Sequence, residues 1–266
     1  MGVVVFFEGD SQPSSSRQTR TLARALEQFL RRALSEKAEI KDLARCNIEV
    51  EDLEVRSCGS DASAVKDFAT EFVRGRVGGK SFIMLLVDSD EYVPAIPDTG
   101  ALNHIQRKFK SGGRSRLPAA VQPDQVHLMV QAMEAWFIAD LDALEKYYGK
   151  RLKKLDDIVE IERTPRPKSR LKAAAQAIRQ DYDEIEDGRE LLARVRIRQL
   201  ESRCPNFKRL LDKLWEVLCE PQYVGKLLHS IKVKDKLWGA YQCALAHCMM
   251  HPSQHSAMCR RVTRTT

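Results

Sequence analysis

Residues 81–92, SFIMLLVDSDEY, and residues 3–10, VVVFFEGD, are two apolar stretches that each end in acidic residues. Each stretch is long enough for one strand and too short to span a membrane. Continuous apolar runs of this length are typical of strands that are buried on both faces, as in a parallel sheet. The acidic residues are poor strand formers, so they mark the points at which the two strands end.

The acidic residues at these strand ends predict a cation site. Ligands of open parallel sheets bind at the carboxyl ends of the strands, where Glu8, Asp88 and Asp90 converge if the strands are neighbours. Asp88 and Asp90 are two residues apart, so on an extended chain their side chains point to the same side. Like charges held together repel unless a cation or a proton lies between them, and hard cations prefer oxygen ligands. We therefore expect Glu8, Asp88 and Asp90 to bind Mg²⁺ or Mn²⁺; the alternative is that these acids are only solvated or cap a helix.

The composition of the chain limits the classes of protein to which it can belong. The chain has 266 residues, of which 43% are hydrophobic, and a net charge of +7 with a pI of about 9.0, which suits a polyanionic partner such as nucleic acid. No apolar run approaches the roughly 20 residues that span a bilayer, and the first residues lack the basic region of a secretory signal. The seven cysteines are odd in number and irregularly spaced, which indicates reduced thiols and a cytoplasmic location.

Strands and helices alternate along the first part of the chain. Residues 17–34 and 62–76 have apolar stripes at helical spacing, and residues 48–55 show the imperfect alternation of a strand. With the two acid-ended strands, this order predicts an α/β fold with a doubly wound, mostly parallel sheet flanked by helices. Further predicted elements are a short helix at 99–109, a strand at 126–130, a helix from 133 that ends at Gly149, and helices at 168–180, 187–201 and 205–219.

This pattern of elements divides the chain into three parts. We predict an α/β core over residues 1–150, a helical extension packed on the core over residues 151–219, and an atypical, poorly ordered tail over residues 220–266. The tail contains clustered cysteines and histidines that could bind zinc, although their spacing fits no common zinc finger.

A basic segment around two glycines follows the short helix. Its cations could neutralise phosphates beside the metal, and the glycines would let the segment close on a substrate; the alternative is a solvated loop. Lys168, at the start of a later helix, could contact a nucleic-acid backbone in the same way. The predicted substrate-binding residues are therefore Lys108, Lys110, Arg114, Arg116 and Lys168.

The acid pattern resembles the Toprim domain of primases, topoisomerases and the overcoming-lysogenization-defect nucleases, which place a Glu after the first strand and an Asp-x-Asp after a later one. A wider resemblance covers residues 3–218 and is to a bacterial family of domains of unknown function. That family has a Toprim-like fold and is often encoded beside ATPases in defence loci. The segments that carry it are FFEGDSQ, LLVDSDE, HLMVQAMEAWFIAD, PKSRLKAAAQAI and DGRELLARVRIRQLESRCPNFKRLLDKL.

The resemblance implies a Toprim-like fold with a helical C-terminal extension and a Mg²⁺- or Mn²⁺-dependent nuclease. Glu8, Asp88 and Asp90 would hold the metal, and Glu8 would act as general base if only one ion binds. Glu134 and His127, at the next junction of strand and helix, are further catalytic candidates. The apolar neighbours of His127 favour a buried structural role for that residue.

A rival hypothesis is an interaction subunit without strong catalysis. Gln12 stands where the resembled nucleases have a second Glu, which removes a possible metal ligand. The chain would then dock on a partner ATPase and regulate it, and either role would fit anti-phage defence. A nucleotidyl or phosphoryl transferase would share the metal site but would need a nucleotide-binding loop, and the chain has no Walker-type glycine pattern.

Overall fold

A parallel sheet lies at the centre of the structure, which is a computed structural model that describes residues 2–9, 16–40, 52–75, 81–110 and 116–219. The side chains of residues 16–21 and 40 are not described. In the described part of the chain the sheet has four strands in the order β2-β1-β3-β4. The strands are β1 (Val3–Phe7), β2 (Leu53–Ser57), β3 (Phe82–Asp88) and β4 (Val126–Met129).

The register of the parallel strands determines which strand ends meet. Val5 of β1 lies between Val55 of β2 and Met84 of β3, and Phe7, the last residue of β1, pairs with Leu86. Asp88, the last residue of β3, pairs with Met129 at the end of β4. The carboxyl ends of β1, β3 and β4 therefore lie at one edge of the sheet.

Helices cover both faces of this sheet. They are α1 (Ser16–Ile40), α2 (Asp61–Gly75), α3 (Thr99–Lys108), α4 (Glu134–Ala139), α5 (Leu141–Tyr148), α6 (Pro167–Ala177), α7 (Glu186–Arg194), α8 (Ile197–Arg203) and α9 (Pro205–Leu218). The local sequence explains several of their ends. Pro167 and Pro205 occupy the first turns of α6 and α9, where no N–H is needed. Gly149 ends α5 in a left-handed conformation with φ 65°.

Along each strand the side chains alternate between two separate hydrophobic cores, one on each face of the sheet. Phe6 and Leu85 pack with α2 and α3 on one face, whereas Phe7 and Leu86 pack with α1 and α4–α9 on the other. In the second core Trp136 stacks on Phe29 at 5.8 Å between ring centroids and meets Phe207 at 5.1 Å, which joins α1, α4 and α9. The predicted α/β fold with a parallel sheet flanked by helices is thus confirmed, and the architecture is consistent with a Toprim-like fold.

Two helices that the sequence predicted as continuous are each broken in the structure. The helix predicted from residue 133 to Gly149 breaks at Asp140, and the helix predicted at 187–201 breaks at Val195 and Arg196, whose backbones are extended. The two breaks contact each other. The fully buried Asp140 carboxylate accepts hydrogen bonds from the Arg196 backbone N–H at 2.8 Å and from its guanidinium at 2.5 and 2.9 Å, and from the Ala143 N–H at 3.2 Å.

Several other expectations concern the whole chain. Within the described ranges, no helix combines the length and the apolar character that crossing a bilayer requires. Cys58 and Cys204 are free thiols, as predicted, whereas Cys219 is disulfide-bonded, so the prediction of reduced thiols is wrong at that position. The described residues belong to one compact unit, Met1–Glu220. The tail from residue 220, with its predicted zinc ligands and disorder, lies outside the described residues.

The Asp140–Arg196 contact yields a stability prediction. Burial raises the pKa of Asp140, but the hydrogen bonds from Arg196 outweigh it and hold this pKa below its ordinary value. Asp140→Ala leaves the Arg196 backbone N–H without its acceptor and removes the buried partner of the Arg196 guanidinium. We therefore expect a loss of about 2–4 kcal/mol in the free energy of unfolding in urea at pH 7. This contribution is present above the unfolded pKa and is lost as the pH falls through the folded pKa, below about 3.9.

Asp142→Ala is the matched control, because Asp142 contacts the same guanidinium at 2.8 Å but is 67% exposed. We expect it to cost less than about 1 kcal/mol. Equal losses for the two variants would show that the buried contact does not hold the two helix breaks in place.

Candidate functional site

Glu8 and Asp88 lie together at the carboxyl edge of the sheet. Glu8 directly follows β1, and its backbone N–H donates to the Leu86 carbonyl of β3 at 3.2 Å. The Asp88 N–H in turn donates to Oε2 of Glu8 at 3.1 Å. The parallel register therefore brings together two of the three carboxylates that the sequence predicted as metal ligands.

Asp88 carries a carboxylate oxygen that lacks a partner. Its Oδ1 is buried and accepts no hydrogen bond from any described residue. Burial raises the pKa of Asp88 well above its ordinary value, and the negative charges of Glu8 and Glu134 raise it further. Burial also raises the pKa of Glu8, and the hydrogen bond from Asp88 offsets this only in part. A carboxylate in these surroundings is stabilised by a proton or a cation beside it.

Glu134 adds a third carboxylate, which is buried. It is the first residue of α4 and is 2% exposed, and it accepts a hydrogen bond from the Tyr182 hydroxyl at 3.0 Å. Burial raises the pKa of Glu134, although its own backbone N–H and the Tyr182 hydroxyl act in the opposite direction. The sequence predicted Glu134 as a catalytic candidate, and the structure places it in the same cavity as Glu8 and Asp88.

These residues line a cavity of about 560 Å³ at the carboxyl ends of β1 and β3. We call it the acidic cavity. The cavity is open to solvent and combines carboxylates with two lysines, a mixture that suits a phosphate bound through a cation. Its ionisable lining residues are Glu8, Asp88, Glu134, Lys168, Lys172, Tyr182, Asp183 and Glu184.

Lys168 and Lys172 supply the positive charge of the acidic cavity. Lys168 forms an ion pair with Glu184. Although burial lowers the pKa of Lys168, this pair and the nearby charges of Glu134 and Asp88 raise it overall, so the ammonium stays protonated. Lys168 was predicted to bind substrate, whereas Lys172 and Glu184 were not identified. The spacing of four residues between the two lysines, which puts both on one face of α6, was the signal available.

Asp90 does not join the acidic cavity. β3 ends at Asp88, and Asp90 has a left-handed backbone with φ 59°, so the assumption of an extended chain is wrong at this position. Its carboxylate is 74% exposed and pairs with Lys108 at 2.6 Å. Ser89 fixes this turn, because its N–H donates to the Met129 carbonyl at 3.2 Å and its hydroxyl accepts from the Gln131 N–H at 2.9 Å.

The predicted set of three metal ligands is therefore reduced to a pair at the sheet edge. Across the part of the chain that the structure describes, no group of three or more His, Cys, Asp or Glu side chains is arranged to hold a metal ion. Glu8 and Asp88 remain the candidates, with Glu134 in the same cavity. Gln12, the position of the missing second Glu, lies outside the described residues.

The described residues of the basic segment do not line the acidic cavity, although the charge of Lys108 acts on Glu8. Lys108 bridges Asp61 at 2.8 Å and Asp90 at 2.6 Å. Lys110 and Arg116 line a separate groove, and Arg114 lies outside the described residues. A phosphate clamp directly over Glu8 and Asp88 is thus not formed by the described part of this segment.

His127 has a structural role in this arrangement. It is 1% exposed on β4, and its Nε2–H donates to the Asp124 carbonyl at 3.0 Å. Burial lowers its pKa to about 3, so the imidazole is neutral. His127 is absent from the lining of the acidic cavity, which supports the structural interpretation over the catalytic one.

The family model for a domain of unknown function, DUF4276, matches residues 20–215. The chain belongs to the DUF4276 family. No curated protein and no solved structure matches it. The matched part of this DUF4276 chain contains Asp88, Glu134 and Lys168 and begins after Glu8. Membership of this family of unknown function leaves the activity to be argued from the site.

The buried neutral His127 predicts a pH dependence of stability. In the unfolded DUF4276 chain its pKa is near 6.5, so as the pH falls below that value the unfolded state takes up a proton that the folded state does not. We expect urea unfolding of the wild type to lose about 2 kcal/mol more between pH 7 and pH 4.5 than unfolding of His127→Gln. An equal loss in both proteins would contradict the neutral buried imidazole.

Proposed function

We propose that this chain is a divalent-metal-dependent phosphodiester hydrolase that acts on nucleic acid. The observation that carries the proposal is the buried Oδ1 of Asp88, which has no hydrogen-bond partner among the described residues and lies beside Glu8. Parallel sheets bind their ligands at this edge, and buried carboxyls with raised pKa values at such an edge are typical of functional sites.

The carboxylate oxygens of this site are suitable ligands for Mg²⁺ or Mn²⁺. Both cations take oxygen ligands, and Mg²⁺ is commonly held by one or two carboxylates together with waters and substrate phosphates. Glu8 and Asp88 would hold the cation, so the absence of a third ligand from Asp90 does not exclude it. When bound, the cation would polarise the phosphate and lower the pKa of a water.

The remaining residues of the acidic cavity have separate roles in this proposal. Glu134 has a raised pKa and is oriented by Tyr182, which suits a group that accepts a proton from an attacking water. Lys168 and Lys172 would neutralise phosphate oxygens, with Lys168 exchanging its ion pair with Glu184 for the substrate. The resemblance of the acid pattern to the Toprim domain favours the same chemistry, and a role in anti-phage defence is part of the proposal.

A second candidate is a regulatory subunit that docks on a partner ATPase and has little catalysis of its own. It is favoured by the position of Asp90, which pairs with Lys108 and leaves only two carboxylates at the end of β3 and β1. The two candidate functions predict different behaviour of the Asp88→Asn variant. A docking subunit would keep its affinity for the ATPase in Asp88→Asn and would not cleave nucleic acid.

Cleavage of labelled single-stranded DNA and RNA in Mn²⁺ tests the hydrolase. We expect Asp88→Asn and Glu8→Gln to lower the cleavage rate by at least about 100-fold, because each removes a carboxylate that would hold the cation. Addition of a chelator should abolish cleavage by the wild type.

Asp157→Asn is the control, since Asp157 is an exposed carboxylate that does not line the acidic cavity. It should cleave at the wild-type rate. Equal cleavage by Asp88→Asn and the wild type would rule out the assignment of the site.

A further inference from the structure

We propose that a second groove of this protein binds single-stranded nucleic acid and leads it towards the acidic cavity, an inference that rests on the proposed function. The groove has a volume of about 1000 Å³ and lies on the α3 side of the sheet. We call it the basic groove. The lining residues on which this inference rests are Tyr92, Asn103, Gln106, Arg107, Lys110 and Arg116.

The charged residues that line the basic groove in the described ranges are all positive. Arg107, Lys110 and Arg116 line it, and no acidic residue does so in the described ranges. None of these three cations forms a salt bridge with another described residue, whereas Lys108 and Lys168 are both paired. Unpaired cations along one groove match the regularly spaced phosphates of a nucleic-acid backbone.

Tyr92 gives the basic groove a surface on which a base can stack. Tyr92 is 40% exposed, and the Arg163 guanidinium lies 4.9 Å from the ring centroid, which supports the ring from one side. A base could stack on this aromatic group only if it is not already stacked within a duplex. The combination of an exposed aromatic ring with backbone-neutralising cations is that of single-strand binding sites.

Amide side chains on α3 complete the surface. Asn103, Gln106 and Arg107 follow the spacing of three and four residues that places side chains on one face of a helix. Asn and Gln offer both donors and acceptors to the edges of unpaired bases. The face of α3 towards the groove is therefore polar and positive, which suits a nucleic acid better than an apolar protein partner.

The basic groove adjoins the end of β3. Arg107 lines both the groove and a smaller pocket that contains Ser89, Asp90 and Lys108. Ser89 directly follows Asp88, whose side chain lies in the acidic cavity. A strand held in the groove would thus pass the carboxyl end of β3, where the proposed hydrolysis takes place.

Fluorescence anisotropy with labelled oligothymidylate and oligouridylate of about twelve nucleotides, in chelator so that no cleavage occurs, tests this assignment. We expect Tyr92→Ala to weaken binding by about 5- to 100-fold and Tyr92→Phe, which keeps the ring, to bind like the wild type. Arg107→Gln should lower the affinity and reduce the slope of log affinity against log salt by about 0.7. Arg198→Gln, an exposed arginine on α8 of the opposite layer, should bind unchanged.

The outcomes separate this proposal from the proposed function. If the oligonucleotide binds through Tyr92 and Arg107 but is not cleaved after Mn²⁺ is added, the groove assignment is upheld and the hydrolase fails. If Tyr92→Ala and Arg107→Gln bind as tightly as the wild type, the groove assignment is overturned whether or not cleavage occurs. Tighter binding of a duplex than of the single strand would also overturn it.

Discussion

The parallel pairing of β1 with β3 is the constraint on which the candidate site depends. It places the end of one strand beside the end of the other, so that the Asp88 N–H donates to the Glu8 carboxylate. The same pairing buries Oδ1 of Asp88 without a partner among the described residues and raises the pKa of both acids. Partial burial of two neighbouring carboxyl groups destabilises the fold unless a proton or a cation compensates, which is why the arrangement points to function rather than to stability.

Much of the sheet and half of the site follow from the sequence. The apolar runs that end in acid predicted β1 and β3, and the rule that ligands bind at the carboxyl ends of parallel strands predicted that Glu8 and Asp88 meet. The position of the Asp90 side chain could not be predicted in this way, because it depends on the turn that the chain makes after β3 ends. The turn at Asp90 depends on hydrogen bonds between Ser89 and the end of β4, a contact between distant segments that no local pattern reveals.

The helical half shows the same limit of sequence reasoning. Apolar periodicity continues through Asp140 and through Arg196, so each stretch was predicted as one helix. In the structure both break, because the buried Asp140 carboxylate binds the backbone and the guanidinium of Arg196. This contact joins the segment from His127 to Asp140 to the last helices, and Trp136 of the same segment packs against Phe29 of α1 and Phe207 of α9. Within that segment Glu134 faces the acidic cavity, whereas His127, Trp136 and Asp140 stabilise the fold.

The most direct test of the account is to count the Mn²⁺ ions that the folded protein binds, from the loss of the free-ion signal in electron paramagnetic resonance. The account predicts that the wild type and Asp157→Asn bind Mn²⁺ through the Glu8–Asp88 pair and that Asp88→Asn loses this binding. If Asp88→Asn binds as much Mn²⁺ as the wild type, or if the wild type binds none, the pair is not a metal site and the central claim is contradicted.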